Sequence, residues 1–470
     1  MRHLHPPYPP KKSLFVRIPK SYKNTDLKLP SITPRAQGTS PNTTRIEKMS
    51  GHMSSNMPPH ISINSGNATE PSESSIQSTI HKVRPPNGES LFPIPSKPAF
   101  IFSKFRNYLH DYEESEILNY REVYYLRQSP VQSKKMVTQI PNFFHFVKDD
   151  HIAYRYQQIQ VIGKGSFGSV FGCIDHKTGE KVAIKMLRDK PKVHSQIIFE
   201  LDLLKLLQVG EGEYSHHVVK YIESFSFRGF FCIVMELLSI DIYTALKYQR
   251  FIGFRKSVIQ TVARETAEAL SFIHQTGIIH ADIKPENILF VDKSQSSIKV
   301  IDYGCSCFIG KLLFSYIQSR YYRAPEVVFG MQYGPEIDIW SLGCVLCEMV
   351  TGQPVFPAED ETELIQMIAN VIGLPPNSMI KSAPRAHHYF DEKGQIKIKS
   401  NSSGKYHYPA ESSLERAIRA KDRLFVDLIE GCLRWDPKER LTAKDVLAHP
   451  WVTQALHGGD EIPSSARASF

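Results

Sequence analysis

Hydrophobic positions along the 470-residue chain change period from one stretch to the next. Phe102, Phe105, Tyr108, Leu109, Tyr112, Ile117 and Leu118 recur at helix-like spacing through an acidic stretch, which predicts an aromatic helix that packs on a neighbouring surface. Tyr120, Val123, Tyr124, Tyr125 and Leu126 follow, and the rhythm fades between Ser129 and Asp150. Residues 156–162, 169–174 and 181–187 are short runs rich in Val and Ile between Gly-containing turns, the pattern of an antiparallel meander. Ile197, Ile198, Leu201, Leu204 and Leu207 mark one face of a helix. Residues 218–227 and 230–237 join through Arg228-Gly229 as a hairpin, so five strands and one helix make a small lobe.

After Ser239 the pattern turns helical. Val258, Ile259, Val262, Ala263, Leu270 and Ile273 form an apolar stripe with Gly277 as its C-cap. Further helices are predicted over 338–350, 361–372, 422–433 and 442–448, and the Ser-, Pro- and Lys-rich stretch 373–420 reads as an irregular insertion. The expected fold class is α+β, a small β-rich lobe followed by a larger α-rich one.

Composition separates the first hundred residues from the rest. They hold 16 of the 31 prolines, no Cys and no Trp, and 13 Lys and Arg against 5 Asp and Glu. The other 370 residues carry 44 against 43, so nearly all of the formal charge of +9 sits in this end. Such a segment buries too little apolar surface to offset chain entropy, and residues 1–100 read as a disordered tail. Its basic cluster of Lys11, Lys12, Arg17 and Lys20 fits a targeting or docking role or a merely soluble tail. It lacks the aromatic interleaving expected of a nucleic-acid binder, and none is expected as a partner.

All seven Cys lie from Cys173 onward, with no zinc-ligand spacing; Cys344 and Cys347 fall in an apolar helical run and read as buried thiols. No apolar run reaches the ~20 residues of a membrane helix, and the N-terminus lacks a signal-peptide core. A soluble cytoplasmic protein is expected, with nuclear residence left open.

The candidate chemistry lies between these elements. Gly163-Lys164-Gly165-Ser166-Phe167-Gly168, flanked by Ile162, Ser169 and Val170, joins the first two strands, and its glycines let backbone N–H groups approach phosphate oxygens. A plain hairpin turn would explain it equally well alone. Lys185 stands in the apolar strand Val182-Ala183-Ile184-Lys185, with Glu200 on the next helix placed to pair with it. The segment Ile279-His280-Ala281-Asp282-Ile283-Lys284-Pro285-Glu286-Asn287-Ile288-Leu289 puts a carboxylate, an ammonium and an amide in one loop, and an apolar strand then ends in Asp302-Tyr303-Gly304. A proton acceptor, a charge for a transferring phosphoryl group and two metal ligands follow in that order.

This order resembles that of a eukaryotic protein kinase over residues 156–451, with Ala324-Pro325-Glu326 closing the activation segment and Arg440 placed to pair with Glu326. Within the kinases, His151-Ile152-Ala153-Tyr154-Arg155-Tyr156 and Ser315-Tyr316-Ile317-Gln318-Ser319-Arg320-Tyr321-Tyr322-Arg323 resemble the DYRK family, the dual-specificity tyrosine-regulated kinases. Residues 101–155 resemble the accessory segment that the class 2 members carry ahead of the kinase domain, and 452–470 read as a C-terminal tail.

The resemblance implies a monomeric enzyme that uses ATP and Mg²⁺ to phosphorylate Ser or Thr in proteins, preferring Arg upstream of the acceptor and Pro after it. Asp282 and Lys284 would act on the acceptor and the phosphoryl group, Asn287 and Asp302 would hold metal, and Lys185 with Glu200 would clamp the nucleotide. Adenine would lie between Val170 and Ala183 above and Leu289 below, along Met235, Glu236, Leu237 and Leu238. Tyr316 would be autophosphorylated, with Arg320 and Arg323 either binding its phosphate or positioning the loop through backbone contacts; the phosphate role is favoured. Ala281, Tyr303, Phe314 and Met235 depart from the family pattern without deleting a catalytic group. A catalytically dead scaffold usually lacks one of Lys185, Asp282 or Asp302, and all three are present.

Overall fold

A computed structural model describes residues 90–131, 144–164, 168–188, 191–208, 217–311 and 316–454. Most of the expected N-terminal tail, Phe314, and 455–470 of the expected C-terminal tail lie outside them. In chain order the elements are α1 (Pro98–Lys104), α2 (Asp111–Glu116), β1 (His151–Ile152), β2 (Tyr156–Lys164), β3 (Gly168–Asp175), β4 (Glu180–Arg188), α3 (Pro191–Gln208), β5 (Tyr221–Phe227) and β6 (Phe230–Glu236). The helical part follows with α4 (Ile242–Tyr248), α5 (Lys256–Gln275), β7 (Ile278–Ile279), β8 (Ile288–Phe290), β9 (Ile298–Val300), β10 (Cys307–Phe308), α6 (Pro325–Val328), α7 (Glu336–Thr351) and α8 (Glu361–Ile372). It closes with α9 (Asn377–Ser382), α10 (Ala386–Tyr389), α11 (Leu414–Ile418), α12 (Arg423–Cys432), α13 (Ala443–Ala448) and α14 (Pro450–Thr453).

The small lobe is an antiparallel sheet of six strands in the order β1-β2-β3-β4-β6-β5. Period-2 alternation sends Phe171, Cys173, Val182, Ile184, Met186, Cys232 and Val234 to one face, where Phe227, Phe230 and Phe144 cover them. The β5–β6 hairpin turns on Arg228 at φ 49° and Gly229 at φ 76°, the pair of left-handed residues that a tight two-residue hairpin needs. Two details differ from the expectation: a sixth strand, β1, joins the edge, and Val218 makes an isolated bridge to Val300 instead of starting β5.

The large lobe packs around α5 and α7, both built into one apolar cluster that runs from Leu187 to Val452. Cys344 and Cys347 are buried there, as their surroundings in the sequence suggested. Thr276 caps α5 and Gly277 follows at φ 79°. The stretch 373–420 is less irregular than its composition implied, since α9, α10 and α11 lie within it.

The accessory segment departs furthest from its pattern. Instead of one helix over 102–118 there are four short turns: α1, a 3-10 turn at Arg106–Tyr108, α2, and another at Ile117–Asn119. His110 interrupts the helix with an extended backbone and accepts the Glu113 N–H, while Glu113 reaches back to the His110 N–H at 2.9 Å, a capping box that starts α2 afresh. Phe92 and Ser96, inside the stretch read as tail, are buried against Ile101 and Val123, so this layer begins about ten residues earlier than residue 101. Among the described residues no helix is long and apolar enough to cross a membrane.

Candidate functional site

The two lobes meet at a cleft whose walls come from β2–β4 on one side and the loop after β7 on the other. Of the Gly-rich turn, Gly163, Lys164 and Gly168 are described, and Gly165, Ser166 and Phe167 lie outside the described residues. Gly168 leaves no room for a side chain, because a Cβ there would stand 2.1 Å from the Met186 carbonyl oxygen of β4. The first residue of β3 therefore lies tightly against the strand that carries Lys185.

The register of the sheet sets Val170 opposite Lys185 and Ala183 opposite Met235, so the residues expected around adenine share neighbouring rungs. Ser169 is buried, whereas Ile162 is exposed at the rim. After β6 the chain passes through Leu237 and Leu238, whose backbone N–H at Leu238 engages no partner among the described residues; Ser239 N–H returns to Phe290 O at 2.9 Å. Leu289 faces this strip from β8 and bridges to Asp241. The Glu236 carboxylate accepts from Lys299 Nζ and from the Lys220 N–H, both at 2.6 Å, and the Glu236 N–H donates to the Lys220 carbonyl at 3.1 Å.

Lys185 Nζ lies 2.6 Å from Glu200 Oε1 and 3.0 Å from Asp302 Oδ1. Burial works against its charge, but the two carboxylates outweigh burial and hold its pKa above the ordinary lysine value. The charge of Lys185 in turn draws the Asp302 carboxyl below its usual range.

Across the cleft, Asp282 is nearly enclosed by donors. Its Oδ2 accepts from Lys284 Nζ at 2.6 Å and Asn287 Nδ2 at 3.1 Å, and its Oδ1 accepts from the Ser319 hydroxyl at 2.8 Å and the Ser319 N–H at 3.2 Å. Burial would lower the Lys284 pKa, and Asp282 more than reverses this.

Two backbone positions here are unusual. Ala281 (φ 64°) and Asp302 (φ 63°) are both left-handed without being glycine, a conformation that costs on the order of 1–3 kcal/mol each. Asp338 of α7 compensates at the first: its carboxylate accepts the Ala281 N–H at 2.8 Å, the His280 N–H at 2.9 Å and His274 Nε2–H at 2.8 Å. His280 Nε2 lies 3.0 Å from the Ile301 carbonyl and so ties the loop to the strand end carrying Asp302. Tyr303 is fully buried, and its hydroxyl donates to the Val300 carbonyl at 3.5 Å.

The activation segment is anchored at its far end by Glu326 and Arg440, both fully buried and 2.6 Å apart, the pairing expected from the sequence. Tyr316 is exposed, and the Arg323 guanidinium sits 3.8 Å from its ring centre. Hydrogen bonding to Arg323 leads the effects that lower the Tyr316 pKa, with Arg320 adding to them. The two readings of these arginines do not exclude each other. Arg323 also donates to the carbonyls of Ile317 and Gln318, both at 2.8 Å, and Arg320 donates to the Ala358 carbonyl at 3.4 Å.

The sequence placed Lys185, Glu200, Asp282, Lys284, Asn287 and Asp302 in one site, and they converge. Three contributors escaped it. Ser319 carries no signal beyond its place in the activation segment, while His280 stood inside the 279–289 loop and Asp338 at the start of a predicted helix, neither with an assigned contact.

Residues 156–452 match the protein kinase domain family. Dual specificity tyrosine-phosphorylation-regulated kinase 4 of Homo sapiens is 39% identical over 389 residues, which cover 80% of this chain and 74% of the human protein. Dual specificity tyrosine-phosphorylation-regulated kinase 2 of Drosophila melanogaster is 38% identical over 397 residues, 82% of this chain and 55% of the fly protein. The DYRK-family kinase pom1 of Schizosaccharomyces pombe is 38% identical over 355 residues, 73% of this chain and 33% of the yeast protein. The chain thus spans about half the length of the fly relative and a third of the yeast one. A cleft that faces the Lys185–Glu200–Asp302 group toward Asp282, Lys284 and Asn287, within this match, makes the chain a protein kinase of the DYRK family.

Proposed function

We propose that this kinase transfers the γ-phosphate of ATP to Ser and Thr of proteins, with Mg²⁺ as its metal and Tyr316 as the site of its own tyrosine phosphorylation. The observation that carries the reading is the Asp282 carboxylate, held at once by Lys284, Asn287 and Ser319 at the mouth of the cleft. Asp282 orients the acceptor hydroxyl and takes its proton. Lys284, kept charged by Asp282, supports the phosphoryl group, and Lys185 fixes the α- and β-phosphates while Glu200 holds it in place.

The donor set fits a hard divalent cation. Asn287 spends its amide N–H groups on Asp282, which leaves its side-chain oxygen free among the described residues, as is Oδ2 of Asp302. Such oxygens suit Mg²⁺, which neutralises charge on the phosphates when bound.

Two features support the substrate preference. Gln318 is left-handed at φ 64°, and its carbonyl accepts from Arg323 at 2.8 Å instead of facing a substrate chain. A residue after the acceptor finds no partner for its N–H there, and proline has none to satisfy. Glu286 is exposed and forms no ion pair among the described residues, which suits a basic residue upstream. At Tyr316, Arg323 and Arg320 supply the charge that a phosphate needs. The enzyme acts as a monomer in this reading.

Asp282→Asn should abolish phosphate transfer and leave nucleotide binding intact; undiminished turnover overturns the assignment. Protein made in bacteria should give a phosphotyrosine signal that vanishes in Tyr316→Phe, and silence from folded protein overturns the autophosphorylation reading.

A further inference from the structure

Arg323 is almost wholly buried, with 1% of its side chain exposed, and it occupies three acceptors at once: the carbonyls of Ile317 and Gln318, and Glu361 Oε1 at 2.9 Å. Glu361 opens α8, outside the activation segment. Its other oxygen accepts from Arg385 Nη2 at 2.5 Å and from the Tyr389 hydroxyl at 3.2 Å, and both of these residues belong to the stretch 373–420. The same stretch holds the neighbouring loop. Ser402 donates its N–H to the Glu359 carboxylate at 2.9 Å, Asn401 donates to Glu363 at 2.9 Å, and Arg320 rests on the Ala358 and Glu359 carbonyls.

We infer that Glu361, held by Arg385 and Tyr389, is a positioning residue that sets which amino acid the enzyme accepts immediately after the phosphorylated one. The inference rests on the reading that a Pro-following site is preferred. Gln318 keeps its left-handed backbone, with its carbonyl turned inward, because Arg323 caps that carbonyl. Without Glu361 the guanidinium keeps the two carbonyls and Tyr316 but loses its carboxylate partner, and is less firmly aimed. If Arg323 loosens, Gln318 can relax out of a conformation that non-glycine residues resist and present its carbonyl to the substrate. The N–H of a residue other than proline then gains an acceptor, and the advantage of proline shrinks. The insertion thereby takes part in substrate choice without touching substrate.

The test compares kcat/KM on two peptides that differ only in Ser-Pro against Ser-Ala, for wild type, Glu361→Gln, Arg385→Ala and Arg385→Lys. All four are first checked by intact mass for phosphate on Tyr316. The Pro/Ala ratio should fall about tenfold in Glu361→Gln, the size expected for losing one charged partner of Arg323. It should fall less in Arg385→Ala, and return toward wild type in Arg385→Lys. Should Glu361→Gln fail to fold, Arg385→Ala carries the test alone, since that side chain is 37% exposed. A loss of rate that is equal on both peptides means the network is only structural and overturns the inference while the preference stands. A wild type that shows no preference for proline overturns the reading beneath it, and the inference with it.

Discussion

Glu113 in the accessory layer and Asp302 in the cleft are both carboxylates set against cations, but one is sealed and the other open. Glu113 is fully buried, and its oxygens accept from Arg127 at 2.6 and 2.8 Å, Arg228 at 2.8 Å and His151 at 3.0 Å. Burial opposes its charge, yet His151 and Arg127 drive its pKa far below the ordinary carboxylate value. Asp302 is 44% exposed and gives one oxygen to one lysine. The same residue types make a lock where every lone pair is used and a ligand site where some are left over. Saturation, more than identity, tells a structural carboxylate from a reactive one.

The largest effect should come from the open cluster. Asp302→Asn should cut the rate of phosphate transfer at least about a hundredfold, the scale of removing one charged group from a reacting centre, with the unfolding midpoint near that of wild type. Glu113→Gln should do the reverse. The buried cluster would lose its central negative charge while Arg127 keeps Asp150 and Arg228 keeps Glu116, so stability in a urea titration should drop by about 1–3 kcal/mol, while kcat of the folded fraction is kept. If Glu113→Gln lowers kcat at unchanged stability, the distinction between lock and site fails.

Acid sharpens it further. Because the folded-state pKa of Glu113 is depressed, its contribution is complete above the ordinary value of 4.5 and is lost as pH falls below it. Wild type should therefore lose stability below that pH more steeply than Glu113→Gln.

The smallest effect has the opposite sign. Burial raises the pKa of Glu348 to about 7 from 4.5, and its carboxylate accepts from the Tyr322 hydroxyl at 2.6 Å. Between those values the folded state keeps a proton that the unfolded chain releases, so this group costs stability as pH rises from 4.5 to 7. Glu348→Gln should flatten that part of the curve, read as the unfolding midpoint at pH 5 and pH 8.

The sheet and the long helices were legible because their periodicity is strong and local: β2, β3, β4 and α8 fall within two residues of their expected limits. The catalytic groups were legible because a short loop fixes their spacing. What escaped depends on contacts distant in sequence. Nothing local in Glu113 announces Arg228, 115 residues away, and the helix-like spacing of 102–118 hid a break at His110 that only the capping geometry reveals. Ser319 reaches Asp282 across 37 residues, and the left-handed backbones of Ala281, Asp302 and Gln318 are imposed by their neighbours against intrinsic preference.

The β5–β6 hairpin spends its apex on the accessory layer, and this decides where the protein can be cut. Arg228 meets Glu113 and Glu116 and lies 4.8 Å from the Tyr112 ring centre, while Phe144 covers Phe227 and Phe230 from outside the matched region. A chain started at residue 156 would keep every catalytic group and still present water with bare aromatic rings beside a cation stripped of its counter-charge. Such a face is adhesive. The unit of solubility is therefore longer than the unit of catalysis, and a fragment trimmed to the kinase domain would be expected to aggregate before its chemistry could be observed.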